Sequence, residues 1–201
     1  MKRALGIQVL VLLTGLLAAN ASGAEEAWLN AEKLQARFSK IASFTAEVEQ
    51  TKKARFLARP LVSRIEIAFD SEKITWKTVK PIASSLVIDR EGLHVEGSKA
   101  MAGAAQDPRA VAFVRFIRSV FALDFAELEK DFVISFEGGT MKAVPKEGSQ
   151  LGGLIHSIAM GFSRELQLET VEVKTPDETS RLVFERFEAV EKTAGGALQV
   201  P

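Results

Sequence analysis

The sequence predicts an α+β domain in which an open, highly curved antiparallel β half-barrel has helices covering its concave face. Two observations support this prediction. Residues 44–89 alternate apolar and polar side chains with the period of two that strands show. Helical patterns occur before the first strand and again in mid-chain, so helices can lie across one face of the sheet. A closed barrel is the other arrangement that such strands allow.

The first 24 residues have the pattern of a cleaved secretory signal peptide. Lys2 and Arg3 precede a largely apolar stretch at residues 5–19, and small residues follow it. We expect cleavage after Ala24, although a cut after Ala21 also fits. A membrane anchor would need about 20 continuous apolar residues, and polar residues interrupt this stretch. The chain is therefore predicted to be exported to the periplasm.

Composition narrows the possible functions. The chain has no cysteine, which excludes disulfides, thiol catalysis and a lipid-modified cysteine after the signal. Removing 24 of 201 residues leaves 177, the size of a single domain, predicted at 25–190 with a tail at 191–201. That mature part has 24 basic and 26 acidic residues, a net charge of −2, so we expect no nucleic acid as partner, and the overall charge does not direct the chain to an anionic surface.

The predicted elements of the first half are one helix and five strands. Asn30 is the expected N-cap of a helix whose apolar stripe is Ala31, Leu34, Phe38 and Ile41. The strands that follow are separated by turn signals and are expected at 43–53, 60–70, 73–79, 84–90 and 92–96. A loop at 97–106 ends this part of the sheet.

A second helix is predicted at 107–121, with Asp107 as N-cap and Pro108 in the first turn. Its apolar residues cover more than the narrow stripe of a surface helix. The helix must therefore pack against other parts of the protein on two sides, or another molecule must cover one side for part of the time. A third helical piece is expected at 124–130, and the remaining strands at 131–137, 141–145, 154–162, 165–174 and 180–189. One face of the 154–162 strand is predicted to hold Leu154, His156, Ile158, Met160 and Phe162.

The sequence offers no catalytic equipment. His94 and His156 are the only histidines, and neither has a partner at a spacing typical of metal sites. The stretch 161–164 lacks the second glycine of a nucleophile elbow. We therefore predict no enzyme activity, no metal and no cofactor, although carboxylates that only the fold brings together would escape this reasoning.

The order of several residues along the chain resembles that in the family of periplasmic outer-membrane lipoprotein carriers, the LolA-like family. These residues are Phe38-Ser39-Lys40-Ile41-Ala42-Ser43-Phe44, Gln50, Pro60-Leu61-Val62-Ser63, Trp76, Pro81 and Asp89. The resemblance spans about residues 28–190. It implies a monomeric half-barrel whose helical lid covers a cavity for acyl chains. It further implies an inner-membrane transporter as donor and an outer-membrane acceptor.

Two departures from the family pattern concern the lid and the cargo. Asp70-Ser71-Glu72-Lys73 stands where lipoprotein carriers have an arginine that fastens the lid, and Ser63-Arg64 replaces a glycine. The segment from Lys52 to Ser63 resembles a divergent branch associated with glycolipid and aryl-polyene export. The alternatives to lipoprotein carriage are therefore a component of such an export system and a non-catalytic structural or interaction module.

Strand parity and the greasy second helix predict the residues of the cavity. They are Val48, Ile65, Ile67, Phe69, Trp76, Leu86, Phe113, Phe116, Ile158, Met160 and Phe162. The lid is predicted to close through Phe113, Phe116 and Phe121, by non-directional apolar packing. The alternative is that these residues form an ordinary packed core without a binding cavity, as in any antiparallel protein.

Overall fold

A computed structural model describes residues 28–70, 72–89, 92–96 and 108–192. The side chains at 93, 95, 96 and 108–114 are not included in that description. The predicted signal peptide, the 97–106 loop, the Asp107 cap and the tail beyond Lys192 therefore lie outside it. No helix in the described part of the chain reaches the length and apolarity that crossing a membrane would require.

The described strands form one antiparallel sheet of ten strands, in the order β5-β4-β3-β2-β1-β10-β9-β8-β7-β6. In chain order the elements are α1 (Ala31–Phe38), β1 (Ile41–Ala54), β2 (Leu61–Asp70), β3 (Ile74–Lys80), β4 (Ser84–Ile88), β5 (Leu93–Glu96), α2 (Pro108–Ala122), α3 (Phe125–Asp131), β6 (Phe132–Glu137), β7 (Thr140–Pro145), β8 (Ser157–Phe162), β9 (Leu168–Lys174) and β10 (Glu178–Glu191). The two edge strands β5 and β6 do not pair, so the sheet is open. This confirms the predicted fold class.

Helix α1 begins as predicted but ends earlier. The side-chain oxygen of Asn30 accepts a hydrogen bond from the Lys33 N–H at 2.9 Å, and Leu34 and Phe38 are buried. Ile41, predicted on the helical stripe, is instead the first residue of β1. It is still only 6% exposed, because the strand turns its side chain into the same core. The burial of Ile41 was predicted correctly, but its secondary structure was not.

The alternation read from the sequence sets the register of the central strands. Val48 lies opposite Ile65, and both are completely buried, whereas Glu47 and Glu66 face each other on the outer surface. An irregularity between Glu47 and Val48 shifts the pairing of β1 with β10 by one residue. The parity of inward side chains therefore changes along β10.

Two strands of the second half start later than predicted. β8 begins at Ser157, because residues 151–154 form turns in which the Leu151 carbonyl accepts hydrogen bonds from the N–H groups of Leu154 and Ile155. Leu154 is half-buried and His156 is exposed, so neither belongs to the predicted strand face. β9 begins at Leu168, after a turn in which Ser163 Oγ accepts from two backbone N–H groups.

Helix α2 connects the two halves of the sheet and is followed closely by α3. Asp124 caps α3, with its Oδ1 accepting from the Glu127 N–H at 3.2 Å. Leu123, between the two helices, is fully buried and has a φ of 46°, which a non-glycine residue seldom adopts. The reversal of the chain between α2 and α3 is therefore anchored in the core.

Candidate ligand-binding site

A wholly apolar cavity of about 90 Å³ lies between α2 and the concave face of the sheet. Its walls come from α1, α2 and the strands β1, β3, β8, β9 and β10. The lining side chains are Phe38, Phe44, Trp76, Phe116, Ile117, Val120, Phe121, Ile158, Met160, Leu168, Val171, Val173, Leu182, Phe184 and Phe187. The sheet supplies most of this wall, and the helix closes it.

Helix α2 contributes four of these residues, which lie at positions one, three and four apart. Phe116, Ile117, Val120 and Phe121 therefore form a single helical face directed at the sheet. The Phe116 ring also packs 5.1 Å from the ring of Phe132 at the start of β6. The strongly apolar helix predicted from the sequence thus contacts the sheet on one side and the α3–β6 segment on another.

Phe44 is the centre of an aromatic cluster at one end of the cavity. Its ring centroid lies 4.8 Å from that of Phe187, 5.1 Å from Phe69 and 5.8 Å from Phe121. Phe69 and Phe121 are themselves 6.2 Å apart. The cluster joins strands β1, β2 and β10 to the last turn of α2, so opening the helix separates Phe121 from two other rings.

The structure brings four of the predicted cavity residues to the cavity wall: Trp76, Phe116, Ile158 and Met160. Val48, Ile65, Ile67 and Phe162 are buried elsewhere in the core, where they pack without bordering the space. Phe69 and Leu86 are half-buried and do not line it either. Phe113 lies on α2, but its side chain is outside the described residues.

Sequence reasoning missed the contribution of the C-terminal strands and of α1. The sequence predicts Phe38 on the apolar stripe of the first helix and not at the cavity. The other lining residues absent from the predicted cavity and lid are Phe44, Ile117, Val120, Leu168, Val171, Val173, Leu182, Phe184 and Phe187. Phe184 and Phe187 have opposite parity but both reach the cavity because of the register shift near Val48. Alternation alone gives no signal for such a shift, since it assumes a regular ladder.

The predicted lid contacts include an ion pair that the sequence did not suggest. Arg115 Nη2 of α2 lies 3.3 Å from Asp131 Oδ2 at the end of α3. Asp131 also accepts a hydrogen bond from Ser149 Oγ at 3.2 Å, which holds its carboxylate in place. The Arg115 side chain is 58% exposed, so water screens this pair, and it joins α2 to α3 beside the apolar packing of Phe116 and Phe121.

Asp70, at the position where the resembling carriers have their fastening arginine, has a local role. Its Oδ1 accepts hydrogen bonds from the N–H groups of Glu72 and Lys73 at 2.8 and 2.7 Å. These bonds close the turn between β2 and β3. Ser71 lies outside the described residues.

A polar groove of about 480 Å³ adjoins the apolar cavity at the end where α2 stops. Phe38 and Phe121 line both spaces, so these two rings form the wall between them. The groove also contains Arg118, Asp124 and Lys192. Movement of Phe121 would join the dry cavity to this wet groove.

The chemistry of the cavity is that of apolar contact. None of its lining residues has a titratable side chain. Among the described residues, no three histidine, aspartate or glutamate side chains group in a way that would hold a metal. The pKa of Glu127 is lowered by a hydrogen bond from Lys130, and that of Glu165 by a hydrogen bond with Ser163. Both carboxylates are on the surface, away from the cavity.

Comparison with known proteins gave matches among solved structures only. No family model and no curated protein matches the chain. A chain of the Pseudomonas aeruginosa MucA/MucB complex is 11% identical with a TM-score of 0.49, and the match covers 82% of this chain and 58% of that one. This chain thus spans less than two thirds of the length of that relative.

Two further structures match over almost their whole length. A LolA superfamily protein from Nitrosomonas europaea is 9% identical, with a TM-score of 0.41 and coverage of 82% of this chain and 96% of its own. A domain from Vibrio parahaemolyticus, named for outer membrane lipoprotein sorting, is 12% identical, with a TM-score of 0.33 and coverage of 85% and 96%.

Proposed function

We propose that this chain is a non-enzymatic periplasmic carrier that binds acyl chains of lipoproteins or lipids beneath α2 and moves them from the inner toward the outer membrane. The observation that supports this most directly is the dry cavity closed by one helix. Its fifteen lining residues are all apolar, which suits a hydrocarbon chain and offers nothing to a polar substrate. The predicted export signal and the sequence resemblance agree with the same function.

Capture of a long acyl chain requires α2 to move. A cavity of about 90 Å³ is well below the roughly 300–1,000 Å³ of sites that enclose small molecules. The space is small because Phe116, Ile117, Val120 and Phe121 fill the concave face. In this proposal the helix swings out to admit the acyl chain and then closes over it, with Phe121 back on the aromatic cluster and the other three side chains packed against the bound chain.

Binding energy is sufficient for such an exchange. Transfer of one CH₂ group from water contributes about 0.8 kcal/mol, so a chain of twelve carbons contributes on the order of 10 kcal/mol before the entropy of association is subtracted. Release then depends on a partner or on reopening of α2. An inner-membrane transporter as donor and an outer-membrane acceptor complete the proposed cycle, with the carrier as a monomer.

The variant Phe116→Glu tests whether α2 closes the site. Phe116 is 6% exposed, and a carboxylate there would cost several kcal/mol unless the helix left the sheet. We expect binding of a fluorescent fatty acid to weaken at least about tenfold while the sheet stays folded. Circular dichroism checks the fold, and titration of the probe measures the affinity.

Val133→Glu is the matched control, because it introduces the same charge at a β6 side chain that is 59% exposed. It should bind the probe as the unaltered protein does. Unchanged probe binding in a folded Phe116→Glu protein would remove α2 from the site and contradict the proposal.

The class of cargo is tested by mass spectrometry of material extracted from the purified protein. Acylated peptides would identify a lipoprotein carrier, whereas glycolipids or polyene lipids would identify a component of the corresponding export system. If no lipid is extracted and the fatty acid probe does not bind, the carrier proposal is wrong and the structural module remains.

A further inference from the structure

One end of the sheet carries two unusually exposed apolar side chains. β1 and β3 both run antiparallel to β2, so the connections at 55–60 and 81–83 lie at the same end, where β2 begins. Phe56 in the first connection is 77% exposed, and Ile82 in the second is 78% exposed. They are the most exposed of the large apolar side chains that the structure describes. Neither contributes to the core.

The same end is rich in positive charge. Residues 52–60 contain four basic residues and no acidic one, and Lys80 precedes the second connection. Lys53, Arg59 and Lys80 are exposed, and none of them forms an ion pair with a described residue. We call residues 52–60 together with 80–83 the basic tip.

Two acidic residues of the neighbouring β9–β10 turn offset part of this charge. Lys52 Nζ lies 3.2 Å from Glu178, and Arg55 lies 3.7 Å from Asp177. In the second pair both side chains are at least 70% exposed, so water screens it strongly. The five cations of the basic tip and these two carboxylates together have an excess of three positive charges, although the mature chain as a whole has a net charge of −2.

We propose that the basic tip docks onto an anionic lipid surface. Exposed apolar side chains that insert among headgroups, flanked by cations that contact lipid phosphates, are the two components of reversible membrane attachment. Scattered apolar residues on a surface are ordinary. Here the two most exposed apolar side chains, Phe56 and Ile82, lie at the same end of the sheet as five cations. This combination suits contact with an anionic bilayer better than exposure to water. The inference is independent of what the cavity binds.

The test is sedimentation of the purified protein with vesicles. Vesicles of equal parts phosphatidylglycerol and phosphatidylcholine should bind it, and vesicles of phosphatidylcholine alone should bind it at least tenfold less. The triple variant Lys53→Glu/Arg59→Glu/Lys80→Glu should lose detectable binding, since each cation near such a surface is worth about a fivefold change. Phe56→Ser/Ile82→Ser should weaken binding about tenfold or more.

Controls with matched changes separate a docking site from general attraction. Lys33→Glu/Lys40→Glu/Lys73→Glu changes the net charge by the same amount at exposed positions away from the basic tip. It should bind much more tightly than the first triple variant.

The apolar control is Val133→Ser/Val190→Ser, at side chains that are 59% and 61% exposed, and it should bind like the unaltered protein. Absence of binding to the anionic vesicles, or equal losses in the tip and control variants, would overturn the proposal. Binding of the fatty acid probe, measured in the same variants without vesicles, should be unchanged, so failure of this inference is distinct from failure of the carrier proposal.

Discussion

Replacing Phe121 by alanine should weaken the closure of α2 without altering the walls supplied by the sheet. Phe121 is the point at which the last turn of α2 contacts the aromatic cluster around Phe44. It also separates the apolar cavity from the polar groove. Loss of its ring therefore removes helix–sheet contact and opens a path from the dry space to water.

The size of the effect follows from the two ring contacts. Phe121 lies 5.8 Å from Phe44 and 6.2 Å from Phe69, and each such aromatic pair contributes about 0.5–1.5 kcal/mol. Removing both shifts the equilibrium between closed and open helix by about 1–3 kcal/mol, or roughly 5- to 150-fold. The dissociation rate of a bound acyl chain should rise by a similar factor.

The assay is stopped-flow displacement of a fluorescent fatty acid by an excess of unlabelled fatty acid. Phe56→Ala is the matched control, because it removes the same ring from a site that is 77% exposed. Its dissociation rate should equal that of the unaltered protein. A folded Phe121→Ala protein that releases the probe at the unaltered rate would refute the idea that this ring holds the helix closed.

Two further predictions concern stability and salt. Gly139→Ala should lower the melting temperature by several degrees, since the new Cβ would lie 2.5 Å from Trp28 Cζ2 and φ is +82°. Gly148→Ala, with φ of +79° but open space around it, should cost less, and equal costs would mean that the Trp28 contact is unimportant. Arg115→Ala removes the exposed ion pair with Asp131 and should change probe affinity less than about fivefold. The affinity of Arg115→Ala and of the unaltered protein for the probe is measured by titration at salt concentrations from 50 to 500 mM. An affinity difference of more than about fivefold between the two proteins would contradict a lid held mainly by packing.

The central half of the sheet could be predicted because its sequence obeys a simple rule. In β1 and β2 every second side chain faces the core, so Val48, Ile65 and Ile67 were assigned to the inner face correctly. The rule failed where local hydrogen bonding replaced the ladder. The turns around Leu151 delay the start of β8, and apolar content alone does not distinguish such a turn from a strand.

The cavity was harder to predict than the inner face. Parity identifies which side chains point inward, but it does not reveal where packing leaves space. Ile65 and Met160 both point inward and are both almost completely buried, yet only Met160 borders the cavity. The difference depends on where α2 rests, and that position is set by contacts between residues far apart in sequence, such as Phe121 with Phe44.

In the proposed carrier, a lid made of phenylalanine rings affects both capture and release. When α2 swings out, its apolar face and the cavity wall lose contact with each other, and an acyl chain that enters restores apolar contact to the wall. The gross gain of about 10 kcal/mol for a twelve-carbon chain is therefore reduced by the helix contacts that it displaces and by the entropy of association. A larger preformed void would bind the same chain more tightly, because no internal packing would be lost. Because Phe116 and Phe121 fill the cavity when no cargo is bound, they exclude water from it. The same contacts lower the affinity for cargo, so an acceptor can remove the cargo.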